Sequence, residues 1–166
     1  MADGNGRPIV GLTVGDPAGV GPEIVIKALQ NSESTDVVRS LVYADRAVLE
    51  QALDAVNVTM SLNEVNTPSE GRYESGCIDF VDCGVLNGPI VYGEVSADGG
   101  QAGYTYLNRA IDDALSGEVV GLATAPLNKE SLQAAELPYI DHTAVLKARA
   151  ARREPMTLFL VRTLKI

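Results

Sequence analysis

The ten residues GDPAGVGPEI, Gly15 to Ile24, decide how this chain is read. They follow the apolar run IVGLTV, Ile9 to Val14, without a break. A near-continuous apolar run of that length is a strand buried on both faces. Three glycines and two prolines then interrupt it within ten residues. Pro22 suits a first helical turn, Gly21 suits a cap, and Glu23 complements the positive end of a helix. Ile24 with Ala28 and Val25 with Leu29 repeat at helical spacing, which predicts a helix to about Gln30. The stretch is therefore a strand-to-helix turn.

The same alternation continues along the chain. SLVYAD (Ser40 to Asp45) reads as a strand, with Asp45 capping a helix through Ala55. VTMSLNEV (Val58 to Val65) and CIDFVDC (Cys77 to Cys83) read as strands on either side of a polar loop, Asn66 to Gly76. Between Gly93 and Gly117, the residues Leu107, Ala110, Ile111, Ala114 and Leu115 form one helical stripe. Asp98 is the expected cap of that helix and Gly117 its end. VVGLATAP (Val119 to Pro126) is expected to be a buried strand stopped by proline. Asn128 is expected to cap a short helix to Ala135, and Thr143 to start another to about Arg152. MTLFLVRTLKI (Met156 to Ile166) is strand-like. Strands alternating with helices predict an α/β fold with a largely parallel sheet.

Composition narrows the function. The 166 residues are 46% hydrophobic and 21% charged, which is the make-up of a folded domain. A net charge of -9 argues against a nucleic-acid partner, whose phosphates need clustered cations. The one basic cluster, KARAARRE (Lys147 to Glu154), reads as a solvated helix end. No apolar run is long enough to span a bilayer, and the first residues lack a signal-peptide core. Cys77 and Cys83 fit no metal or redox spacing and read as free thiols of a cytoplasmic protein.

Ligands of open α/β sheets bind beyond the carboxyl ends of the strands. Three patches belong there: the glycine turn, TAPLNKES (Thr124 to Ser131) and DHTA (Asp141 to Ala144). The turn matches neither G-x-G-x-x-G nor the Walker pattern. It is either a tight turn that needs glycine for its own geometry, or a place where a ligand rests against backbone N–H groups. Asp16 either holds a substrate hydroxyl or braces the turn. Lys129 is either a solvated lysine or a ligand for an anion; a cation in a first helical turn opposes the helix dipole. His142 is the only histidine, and with Thr143 at a helix start it suits a phosphate or hydroxyl. One histidine with no spaced carboxylates makes no complete metal site.

GDPAGVGPEI, TAPLNKESL and the His142–Thr143 pair, in this order, resemble the 4-hydroxythreonine-4-phosphate dehydrogenases of pyridoxal phosphate biosynthesis. The segment Gly93 to Glu130 is similar to the middle region of that family. The resemblance implies an α/β/α sandwich like that of isocitrate and isopropylmalate dehydrogenases, a homodimer, NAD or NADP, and a divalent metal such as Zn, Mg or Co. It implies oxidation of 4-phosphohydroxy-L-threonine by hydride transfer, then decarboxylation. It implies that His142 and Thr143 bind this small phosphorylated substrate, with Asp16 and Lys129 in matching motifs.

Two departures shape the expectation. The family pattern Gly-His-Thr-Glu is here Asp141-His142-Thr143-Ala144. That admits relatives acting on phosphorylated threonate-like acids or cis-dihydrodiols. Family members are also much longer, and the resemblance places their metal-binding histidines and most cofactor contacts after Ile166. Residues 1–166 are thus expected to be the N-terminal portion of the fold, an incomplete sandwich inactive alone. The alternative of a different class is a non-catalytic binding module.

Overall fold

The computed structural model describes residues 6–31, 36–150, 160–161 and 164–165. A five-stranded, wholly parallel sheet forms its centre. The strands are β1 (Ile9–Thr13), β2 (Arg39–Ala44), β3 (Ser61–Glu64), β4 (Cys77–Asp82) and β5 (Gly121–Thr124). Their order across the sheet is β3-β4-β2-β1-β5. In register, Leu12 lies opposite Val42 on one side and Ala123 on the other.

The helices are α1 (Gly21–Leu29), α2 (Arg46–Ala55), α3 (Ala97–Ser116), α4 (Lys129–Ala134) and α5 (His142–Ala150). From β1 the chain crosses by α1 to β2, toward one edge. From β4 it crosses by α3 to β5, at the opposite edge. Right-handed crossovers running in opposite directions put α1 and α3 on opposite faces of the sheet. That is the parallel α/β fold expected from the alternation of strands and helices, in the α/β/α arrangement that the resemblance implies. α1 packs with α2, while α3 packs on β1, β2 and β5 and carries α4 and α5.

The core is Leu41, Val42, Tyr43 and Ala44 of β2, Ile78 and Phe80 of β4, and the inward faces of the helices. Tyr43 stays buried because its phenol donates to Asp113 Oδ2 at 2.8 Å, which also binds the α3 helix to β2. Burial and the Asp113 carboxylate both push that phenol's pKa well above its ordinary value. Arg109 closes the cluster, 3.0 Å from Asp113.

Several local expectations are corrected. The helix after the glycine turn begins at Gly21, so Val20 rather than Gly21 is its cap. Asp45 sits at the N-cap of α2, yet its carboxylate makes no capping bond. It accepts instead from the N–H groups of Val85 and Leu86, at 2.9 and 2.6 Å. Ser96, not Asp98, caps α3, accepting from Gly99 N–H at 3.0 Å. Leu115 of the apolar stripe is exposed, and Tyr106 is buried in its place. β5 is an edge strand whose residues range from half-buried to exposed, not a buried strand. The polar loop after β3 is held down by Asp79, which accepts from Arg72 N–H and Tyr73 N–H.

Asn128 and Gly117 act as caps where the sequence placed them. Cys77 and Cys83 are free thiols, and burial pushes the Cys83 thiol up to about 12. Of the basic cluster, Arg149 pairs with Asp112 on α3, and residues 151–154 lie outside the described residues. Within the last strand-like run, two short antiparallel strands are described, β6 (Leu160–Val161) and β7 (Leu164–Lys165).

Candidate functional site

Strand order fixes where the site lies. The chain leaves β1 toward β2, and β5 lies on β1's other side. The loops after β1 and β5 therefore diverge from adjacent strands, which opens the crevice where sheets of this kind bind ligands. These loops are the glycine turn and the Ala125–Asn128 segment.

The two loops are stitched together at Gly15. Its φ is +71°, a conformation that L side chains rarely adopt, and a Cβ there would overlap the Pro126 carbonyl oxygen. The next residue, Asp16, donates its N–H to that oxygen at 3.0 Å. Gly15 is thus required by the protein's own backbone packing, the first of the two readings of the turn.

Asp16 is only 3% exposed although it is ionisable. Its Oδ1 accepts from Ala18 N–H at 2.9 Å, which braces the turn. Its Oδ2 is buried and has no hydrogen-bond partner. Asp16 shares a cavity of ≈ 340 Å³ with Gly19, Val20, Leu127, Asn128 and Lys129, among others. The structure therefore joins two sequence-predicted residues, Asp16 and Lys129, in one cavity. Lys129 is exposed at the first turn of α4, and Asn128 holds that turn by accepting from Glu130 N–H at 2.9 Å.

His142 opens α5 and is half-buried. Burial lowers its pKa, against the raising effects of a hydrogen bond to the Ala125 backbone and of Asp141. Its Nε2 is buried without a hydrogen-bond partner. Asp141 caps α5 by accepting from Ala144 N–H at 2.9 Å. Thr143 is exposed on α5, and neither it nor His142 lines the Asp16–Lys129 cavity. The Ala125 backbone, which acts on the His142 ring, belongs to the loop that carries Pro126.

Sequence reasoning passed over Val20, Leu127 and Asn128 as cavity residues. The available signal was their place in the two loops, which becomes visible once β1 and β5 are known to be neighbours. Among the described residues, no group of three His, Cys, Asp or Glu side chains is placed to hold a metal ion.

A family model described as "Pyridoxal phosphate biosynthetic protein PdxA" matches residues 36–166. The chain belongs to the PdxA family. It is 40% identical over 161 residues to a protein of Symbiobacterium thermophilum provisionally named D-threonate 4-phosphate dehydrogenase, covering 96% of this chain and 48% of that one. A protein of Halalkalibacterium halodurans with the same provisional name is 38% identical over 163 residues, covering 98% and 49%. The crystal structure of a 4-hydroxythreonine-4-phosphate dehydrogenase from Burkholderia phymatum superposes with a TM-score of 0.90 at 37% identity, covering 96% of this chain and 48% of that one. A terephthalate 1,2-cis-dihydrodiol dehydrogenase from Burkholderia xenovorans shares the fold, with a TM-score of 0.67 at 24% identity, over 86% of this chain and 40% of that one. The chain spans about half the length of the curated relatives it matches. These PdxA-family relatives and neighbours are named as dehydrogenases.

Proposed function

We infer that this chain supplies the substrate-binding crevice of a dehydrogenase that oxidises a small phosphorylated hydroxy acid. One observation carries the reading: Asp16 and Lys129, from the loops after β1 and β5, line one cavity at the switch point of the sheet. The Lys129 cation, with the polar backbone of the two loops around it, suits a small molecule that bears an anionic group. His142 and Thr143, at the start of α5 and outside this cavity, are proposed as further substrate contacts.

D-threonate 4-phosphate is the first substrate choice. The names of the relatives at 35–40% identity support it, as does Ala144, where the resemblance implies a glutamate. The second reading is 4-hydroxythreonine 4-phosphate in pyridoxal phosphate biosynthesis, supported by the family description and the structural neighbours.

NAD or NADP, when bound, accepts the hydride in such a reaction. The glycine turn lacks a dinucleotide fingerprint, and the described residues group no metal ligands, so their part is to bind and orient. On this reading residues 1–166 correspond to the N-terminal portion of a cytoplasmic homodimeric enzyme, whose metal and cofactor contacts come from elsewhere. No helix among the described residues is long and apolar enough to cross a membrane.

The test is calorimetric binding of both phosphates to the purified protein, together with NAD and NADP reduction in the presence of a divalent metal. Preferential binding of D-threonate 4-phosphate is the expected result. Binding of neither compound would sink the reading and bring the non-catalytic module forward.

A further inference from the structure

We propose that Gly19 is a specificity-determining residue: its bare backbone forms the wall against which the substrate held by Lys129 rests, so the size of residue 19 limits which molecules the cavity admits. This rests on the function inferred above and assigns the feature by which the site selects its substrate.

The three glycines of the turn divide by what surrounds them. A Cβ on Gly15 would overlap the Pro126 carbonyl oxygen, and one on Gly21 would overlap the Val14 carbonyl oxygen. Both are glycine because the protein's own backbone leaves no room. Gly19 has no such need. Its φ lies outside the left-handed region, and a Cβ there would meet only Asp16 beyond its chain neighbours, no closer than 3.4 Å, which is ordinary contact. Alanine fits the fold at this point and would restrict the unfolded chain, so glycine here costs stability without improving the packing.

The cavity supplies what the fold does not. One of its walls comes from the loop after β5 and carries Lys129; the other is Asp16, Gly19 and Val20 of the glycine turn. An anion held by the Lys129 ammonium on the first wall has to face the second. Asp16 is only 3% exposed and offers that ligand little surface, whereas Gly19 and Val20 are exposed. The wall cannot draw back to make room. Gly19 N–H donates to the Asp16 carbonyl at 3.0 Å, Ala18 N–H donates to Asp16 Oδ1 at 2.9 Å, and the Ala18 carbonyl accepts from Gly93 N–H at 2.8 Å. A side chain at residue 19 would therefore take its space from the ligand and not from the protein.

The test measures the dissociation constant of D-threonate 4-phosphate and the thermal midpoint for the purified wild-type protein, Gly19→Ala, Gly19→Val and Gly21→Ala. One extra carbon in a site of fixed size is worth about 10- to 200-fold in discrimination. Gly19→Ala should weaken binding by about 10-fold and Gly19→Val by about 100-fold, in order of size. The midpoint of Gly19→Ala should equal or exceed that of the wild type, because the residue fits and the unfolded chain is stiffer. Gly21→Ala should have a lower midpoint, since its Cβ meets backbone that cannot yield. Wild-type affinity in both Gly19 variants overturns the proposal alone. So does a Gly19→Ala midpoint that falls as far as that of Gly21→Ala, because residue 19 would then serve the turn itself. If neither D-threonate 4-phosphate nor 4-hydroxythreonine 4-phosphate binds the wild type, the functional reading fails and takes this proposal with it.

Discussion

Gly100 of α3 lies directly against Ser131 of α4: a Cβ on the glycine would overlap the Ser131 carbonyl oxygen and crowd the Leu132 N–H. Bare backbone at this point lets the long helix carry the short one. The short helix in turn begins with Lys129, so the packing of α3 on α4 sets one wall of the candidate site.

Gly100→Ala should accordingly push α4 off α3. Helix propensity alone would make alanine the better residue there, by about 1 kcal/mol. Overpacking against backbone opposes this at about 1–3 kcal/mol and should win, because no flexible side chain is available to yield. The expected outcome is a lower urea midpoint with an unchanged slope, together with weaker ligand binding. A midpoint equal to or above that of the wild type would show that α4 is free to shift.

Asp45 gives a second prediction, because its position and its bonds disagree. As a cap, its loss would loosen the first turn of α2. As observed, it anchors Val85 and Leu86. Asp45→Ala should cost about 1–3 kcal/mol by leaving these donors without their acceptor. Hydrogen exchange should quicken at the Val85 and Leu86 amides and stay unchanged at the Val48 and Leu49 amides, which bond the Asp45 backbone carbonyl. Faster exchange at the start of α2 alone would restore the capping role.

These two residues also mark how far the sequence could be read. The parallel α/β fold was legible because periodicity is local: IVGLTV and SLVYAD announce buried strands wherever they end up. Asp45 shows the limit. Its place before a helix is visible in the sequence, but the loop that takes its carboxylate is distant in the chain. Ser96 and Asp98 show another, since both are good caps and only the backbone angle at Ser96 decides between them. Of the site, Asp16 and Lys129 were visible as residue types. Their meeting in one cavity depends on β5 lying beside β1, which is a matter of strand order. Gly15 was ambiguous in sequence for a similar reason, because the backbone that needs its positive φ belongs to Pro126.

His142 supplies a pH prediction with a definite sign. Burial holds its folded pKa below the ordinary 6.5. The unfolded chain therefore binds the proton more readily than the folded one. The stability contribution is fully present above about pH 6.5 and is lost as pH falls through the lowered folded pKa. As the only histidine, it gives one pair of imidazole ring signals in a proton NMR titration, and their midpoint should lie below 6.5. His142→Gln should flatten the stability profile across that window. A midpoint above 6.5 would mean that Asp141 and the Ala125 bond outweigh burial, and that the ring is a cation at neutral pH.

Lys129 separates binding from stability. It is an exposed cation in the first turn of a helix, where the dipole disfavours it, so removing it should not harm the fold. Lys129→Gln should leave the thermal midpoint unchanged or slightly raised, by no more than about 0.3–1 kcal/mol in stability. Loss of a charge-assisted hydrogen bond to an anion should meanwhile weaken the binding of D-threonate 4-phosphate by about 10- to 100-fold. The remaining affinity should depend less on ionic strength, because one screened charge has gone. Calorimetry at low and moderate salt on both proteins checks all three expectations. Unchanged affinity with unchanged salt dependence would make Lys129 a solvated surface residue, and the anion would then have to be held elsewhere.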